Sequence, residues 1–389
     1  MKSRMQTRLF FLINALFFMM TLCFVVFSCG GKNEDDDNPP NPVDDDLTSD
    51  DSRNEYSDDS TNDDSTIDDE NNDDDSFFED DDDTGSVILH YNGSCWSINK
   101  SGISARLNAI WGSSPSDIYA VGGYYNESMG YPAFILHYDG MLWSSIETDI
   151  FLFILSSIWG ISSSEVFTVS QFFSSEIAYY DGFNWKYMLV PGLNHYLSSI
   201  WGTSNLHVFA VGQRADPFGN ITGSIILHYN GISWSAMVIP TGTYNLWFIW
   251  GSSSSDVFTV GYETDNIGNP TGGFIMHYNG TSWSIIERGS QNFWRGVWGS
   301  SSSDVFVIGI NGSIIHYNGI SWLSMSSGTT YPLYSIWGNS SSDVFVVGEN
   351  GTILHYDGTE WTEMESGTMK NLYSVWGTSP SDVYAVGGK

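Results

Sequence analysis

GTILHYDGTEW (residues 351–361) recurs, with small changes, along the later three-quarters of this 389-residue chain. SVILHYNGSCW (86–96), SIILHYNGISW (224–234) and GFIMHYNGTSW (273–283) are versions of it. A second motif, of the form IWG-SSSSD-VFxVG, alternates with the first. Its Trp-Gly pairs begin at 111, 159, 201, 250, 298, 337 and 376, and the first motif ends at Trp96, Trp143, Trp185, Trp234, Trp283, Trp322 and Trp361. Each motif therefore occurs seven times, with a spacing of 39 to 49 residues between Trp-Gly pairs. Together they take up 14 of the 16 tryptophans, so the tryptophans belong first to the architecture.

A period of this length, built from short runs of Val, Ile, Phe, Tyr and Trp with Gly, Ser, Asn and Asp at the joints, predicts a β-propeller of four-stranded blades. In the last full unit LYSIWG (333–338), DVFVVG (343–348), GTILHYDG (351–358) and WTEM (361–364) read as the four strands, innermost first. The DG or NG before the final Trp is a hairpin signal. The repeats open on a third-and-fourth-strand half (SVILHYNGSCWSI) and close on a first-and-second-strand half (YSVWGTSPSDVYAVGGK). Either half alone leaves an edge strand unpaired. Joined, they complete a seventh blade, so the expected fold class is all-β, a seven-bladed propeller over 85–389 closed by strands from both ends.

VVGENGTILHYDGTEW (346–361) resembles the repeat of the BNR-like, photosystem-assembly-factor-type propellers, in which a VG-x-x-G-x-I-L stretch leads into an Asp-Gly turn and a Trp. The resemblance runs over 86–388 and implies the propeller fold. It also touches the Asp-box of sialidases, but Asp357 and Trp361 stand one residue too close for that motif. Sialidase activity is therefore not carried over, and fold alone implies no activity.

The chain begins with a basic stretch holding Lys2, Arg4 and Arg8, then the uncharged apolar run LFFLINALFFMMTLCFVVF (9–27). This pattern reads as an export signal. VFSCGG (26–31) is similar to a bacterial lipobox, with the departure that Phe27 is bulky. The resemblance implies a signal peptide over 1–28, acylation (palmitate among the chains) of Cys29, and a membrane anchor. Cys23 would leave with the signal, so Cys95 alone remains in the body, where no internal disulfide is expected. Residues 33–84 carry 25 Asp and Glu against a single base, Arg53. Such a segment buries too little apolar surface to offset ordering entropy, so 29–84 reads as a lipidated N-terminus and disordered acidic tether. The expected location is the bacterial cell envelope, as an outer-membrane lipoprotein exposed at the surface.

The net charge is −33, and the head supplies only −13 of it. No basic stripe is available to meet a phosphate backbone, so nucleic-acid binding is excluded. The His of the HY pair appears once per blade, too dispersed for a metal site. The Asp of SSSSD is expected to bond the backbone of its own turn. No cofactor, metal or catalytic residue is expected, and the head is expected to be monomeric.

Binding residues should sit where the repeats differ. The first-to-second and third-to-fourth turns are nearly constant, whereas the connections at the opposite end vary. Long insertions at 122–133, 212–223 and 262–272, with the segments between successive blades, would present Arg106, Tyr124, Tyr125, Tyr131, Arg214, Asp216, Phe218, Trp247, Glu263, Asp265, Arg288, Trp294 and Arg295. Aromatic and Arg side chains on loops of a rigid scaffold suit recognition. The expected function is non-catalytic binding of a protein or glycan partner. A glycan hydrolase of the sialidase type and an envelope assembly scaffold are the alternatives.

Overall fold

The structure, a computed structural model, describes residues 85–388 apart from 101, 125–131, 149–152, 171–176, 191, 193–194, 217, 219, 243 and 266–267. The export signal, Cys29, the acidic tether, Tyr125 and Tyr131 lie outside the described residues. The last full repeat forms strands Leu333–Ser340, Asp343–Gly348, Ile353–Tyr356 and Trp361–Glu363, paired antiparallel in that order. Seven such four-stranded sheets make up a seven-bladed propeller. In the seventh blade Leu372–Ser379 and Asp382–Gly387 pair onward to Val87–Tyr91 and Trp96–Lys100. Leu89 stands opposite Ala385 and His90 opposite Tyr384 across this closure.

Each strand's composition matches its radial position. The second strands, such as Asp343–Gly348, run five buried residues in a row because a neighbouring blade covers each face. The outermost strand of this blade, Trp361–Glu363, is three residues long and exposes Thr362 and Glu363 past its Trp, which blunts the edge. The core consists of one apolar cluster at each of the seven blade interfaces. Between blades six and seven, Phe345, Val347 and Ile353 meet Leu89, Trp96, Leu372 and Val375.

The Trp-Gly pairs belong to this packing. The Trp111 indole lies over Gly160 of the next blade, and a Cβ on Gly160 would come within 2.5 Å of it. Trp159 covers Gly202 in the same way, and so on round the ring to Trp376 over Gly112. Each Trp at the end of the repeated HY[DN]GxxW motif tilts against the Tyr of that motif, as Tyr356 and Trp361 do at 5.2 Å. In the hairpin between them Asn92 Oδ1 accepts the backbone N–H of Ser94 and Cys95 at 3.0 and 3.1 Å. Gly93 takes φ 91° there, a conformation open to glycine.

The SSSSD aspartate departs from the expected turn role. Its Oδ1 faces the histidine Nε2 of the third strand at 2.6–2.8 Å in five blades, the pairs being Asp382–His90, Asp117–His137, Asp256–His277, Asp304–His316 and Asp343–His355. In four of the five the other oxygen accepts a hydroxyl from four residues earlier, from Ser113, Ser252, Ser300 or Thr378. The turn is closed instead by serine, with Ser116 N–H donating to Ser114 Oγ. Each imidazole also lies against the second strand's aromatic ring, His316 stacking on Phe306 at 4.1 Å. The bracket therefore ties the inner hairpin to the third strand. Blade two replaces it with Tyr179 donating to Glu165, and blade three with His207 beside His228.

Candidate functional site: the mouth of the central channel

Every innermost strand is interrupted near its start by a register shift, which leaves one residue without a cross-strand partner. These residues are Asn108, Ser156, Ser198, Trp247, Arg295, Tyr334 and Tyr373. All seven line the central channel, a cavity of about 500 Å³. On either side of them the repeat is nearly constant. A leucine precedes six of the seven, and all seven share the Trp-Gly that follows. The scaffold is uniform, and its inner lining is individual.

The positions are held firmly. Next to the bulge, the hydroxyls of Ser157, Ser199, Ser335 and Ser374 accept backbone N–H groups of Ile200, Ile249, Val375 and Ile110 in the following blade at 3.2–3.4 Å. Asn108 Nδ2 donates to the Leu155 carbonyl at 2.7 Å. Hydrogen bonds thus link five of the seven neighbouring pairs of inner strands and steady what projects from them.

Blades one to three contribute small polar residues to the channel, and blades four to seven contribute a continuous arc of rings and guanidinium. The Arg295 guanidinium lies 4.1 Å from the centre of the Trp247 ring. Tyr334 and Tyr373 stack at 5.4 Å. Arg106, on blade one, lies 4.6 Å over Tyr373 and donates its Nε–H to Asn108 Oδ1 at 2.6 Å. Among the described residues neither Arg106 nor Arg295 forms an ion pair. Burial pushes the Arg295 pKa down, and it pushes the Tyr334 hydroxyl up with help from Glu349. Arg295 Nε and Trp247 Nε1 are buried donors with no partner. Among the described residues the channel lining includes no Asp, Glu, His or Cys.

Three residues of the expected face, Arg106, Trp247 and Arg295, thus converge in the channel. The others lie elsewhere. Glu263 and Arg288 pair at 2.8 Å, and Arg288 also donates to the Tyr244 hydroxyl. Asp216 and Asp265 close their own loops, accepting the backbone N–H groups of Asn220 and Asn269. Tyr124 stacks on Phe134, while Arg214 and Phe218 are exposed. Trp294, expected on the binding face, is 1% exposed. It occupies the position of the leucine that precedes the bulge in the other blades and fills the core between blades four and five. Tyr334, Tyr373, Asn108, Ser156 and Ser198 were not singled out in the sequence. Superposing the repeats on their Trp-Gly pairs marks them, as the variable position three residues before each Trp.

No family model and no curated protein matches this sequence. Solved structures do match its fold. YCF48 bound to D1 peptide is 15% identical, with a TM-score of 0.56 over 73% of this chain and 89% of that one. YCF48 from Cyanidioschyzon merolae is 14% identical, with a TM-score of 0.53 over 73% of this chain and 93% of its own. A catalytically inactive virginiamycin B lyase from Staphylococcus aureus, solved with quinupristin, is 11% identical, with a TM-score of 0.56 over 78% of this chain and 99% of its own. At these identities the likeness shows the fold alone.

Proposed function

We propose that this protein is a non-catalytic binding head at the bacterial cell envelope and that the channel mouth receives a polypeptide segment of a partner. The acidic stretch 33–84 would hold the head away from a lipid anchor on Cys29. The observation that carries the reading is the aromatic–guanidinium arc on an otherwise repetitive scaffold. Aromatic and Arg anchors at the centre of a concave, pre-formed surface are what binding sites use. A channel lining without acid, histidine or cysteine suits binding better than general acid–base or glycosidase chemistry. That one structural neighbour, YCF48, was solved with a peptide bound favours a polypeptide over a glycan.

The test is in-cell photo-crosslinking from residue 373, in the arc, and from residue 232, at an exposed hairpin on the far face. Crosslinks to a discrete protein from 373 and not from 232 support the reading. Equal yields, or none from 373, refute it. In the same cells, Cys29→Ala should abolish fatty-acid labelling and release the protein from the membrane fraction; unchanged labelling would refute the anchor.

A further inference from the structure

The arc has a chemical asymmetry that general stickiness does not explain. The described head is acidic, and its ion-paired bases Lys186 and Arg288 have carboxylates beside them at Asp181 and Glu263. Arg106 and Arg295 have none, yet Arg295 is buried deeply enough to lower its pKa. Desolvating a cation without a counter-charge is costly. The faces of Trp247 and Tyr373 stabilise the two guanidinium groups in part. They leave Arg295 Nε–H unused, and Trp247 Nε1–H is likewise unpartnered.

From these observations we infer that the channel mouth is a receptor for a carboxylate borne on a flat or apolar group. Arg295 supplies the charge and, with Trp247 Nε1–H, the donors. Tyr334 and Tyr373 provide the wall against which the apolar part lies, and Arg106 closes the arc on the blade-one side. The small residues opposite, Asn108, Ser156 and Ser198, leave the room. A cavity of about 500 Å³ holds a short peptide end or a free aromatic acid. A carboxylate fits better than a larger polyanion, because the acidic head repels extended negative charge while one buried guanidinium matches a single planar anion. This inference rests on the channel mouth being the binding site and adds the group that it recognises.

The experiment is calorimetric and fluorescence titration of the full chain with four probes: N-acetylphenylalanine, its amide, a pentapeptide ending in Phe as the free acid, and the same peptide amidated. A free acid should bind at least tenfold more tightly than its amide. Arg295→Gln should weaken the acid at least tenfold and erase the difference, at an unchanged melting temperature. Arg295→Lys should restore little, since an ammonium lacks the planar fork. Arg288→Gln, at the paired surface arginine, should change nothing. Binding of the small acid assigns the source to a free metabolite, and binding of the peptide acid alone assigns it to polypeptide ends. Acid and amide binding alike, no acid binding, or full binding by a folded Arg295→Gln variant overturns the inference. Should the crosslink from residue 373 persist unchanged in Arg295→Gln, the binding face stands and carboxylate recognition falls.

Discussion

Ring closure makes a quantitative prediction at Leu89. This residue lies on the strand contributed by the N-terminal end of the head, is fully buried, and packs among Val347, Ile353, Leu372 and Val375 at the interface of blades six and seven. Leu89→Ala removes roughly three methylene equivalents, about 2.4 kcal/mol of transfer free energy, and the residual cavity raises the cost to about 3–4 kcal/mol. Unfolding entropy near 2.1 cal/mol/K per residue over about 300 residues converts this to a fall of about 5–6 °C in melting temperature. Leu354 holds the same place in blade six, where nothing depends on the chain ends, and is equally buried. If the closing blade belongs to the cooperative unit, Leu89→Ala and Leu354→Ala should lower one shared calorimetric transition by similar amounts. A Leu89→Ala midpoint within about 1 °C of the parent, beside a normal loss for Leu354→Ala, would show that the N-terminal strands are not part of the folded ring.

Two further outcomes follow from the blade packing. In blade three His207 faces His228, whose pKa is held below the ordinary histidine value by burial and by its neighbour; burial also depresses His195. Folded-state depression means that their contribution is complete above about pH 6.5 and is lost as pH falls below it, so stability measured between pH 7.5 and 5 should decline. His207→Asp would rebuild the bracket of five other blades, with Thr203 four residues earlier as hydroxyl donor, and should add about 1 kcal/mol at pH 7 while flattening that decline; no gain in denaturant midpoint would argue against the bracket as a stabilising device. Gly160→Ala drives a methyl group into the Trp111 indole and should cost about 1–3 kcal/mol; a neutral result would mean that the tryptophan ring is loosely packed.

The fold was legible because its signals are local and repeated seven times. Strand Asp343–Gly348 matches the DVFVVG run residue for residue, and the innermost strand extends only two residues past LYSIWG, to Ser340. The Asp was misread because nothing local in SSSSD shows that a His twelve or more residues on will fold back to its carboxylate. The site was half legible, for a similar reason. Period-two counting assigns side chains to faces, and one bulged residue shifts the count. Tyr334 and Tyr373 therefore look like ordinary strand positions, although they face the channel. Trp294 errs the other way. NFWRG reads as loop, yet alignment on Trp298-Gly299 sets Trp294 in a leucine's core position.

A partner should bind at the channel mouth, and filling the channel tests this directly. Ser198 lines the open half of the channel and is bulged as Trp247 is in the next blade, so the same backbone that carries Trp247 should carry Ser198→Trp without strain. This change leaves the arc, the outer loops and the hairpin face untouched. The crosslink yield from residue 373 should fall at least tenfold in Ser198→Trp cells at equal protein level and melting temperature. An undiminished yield, with the plugged protein folded, would contradict the account.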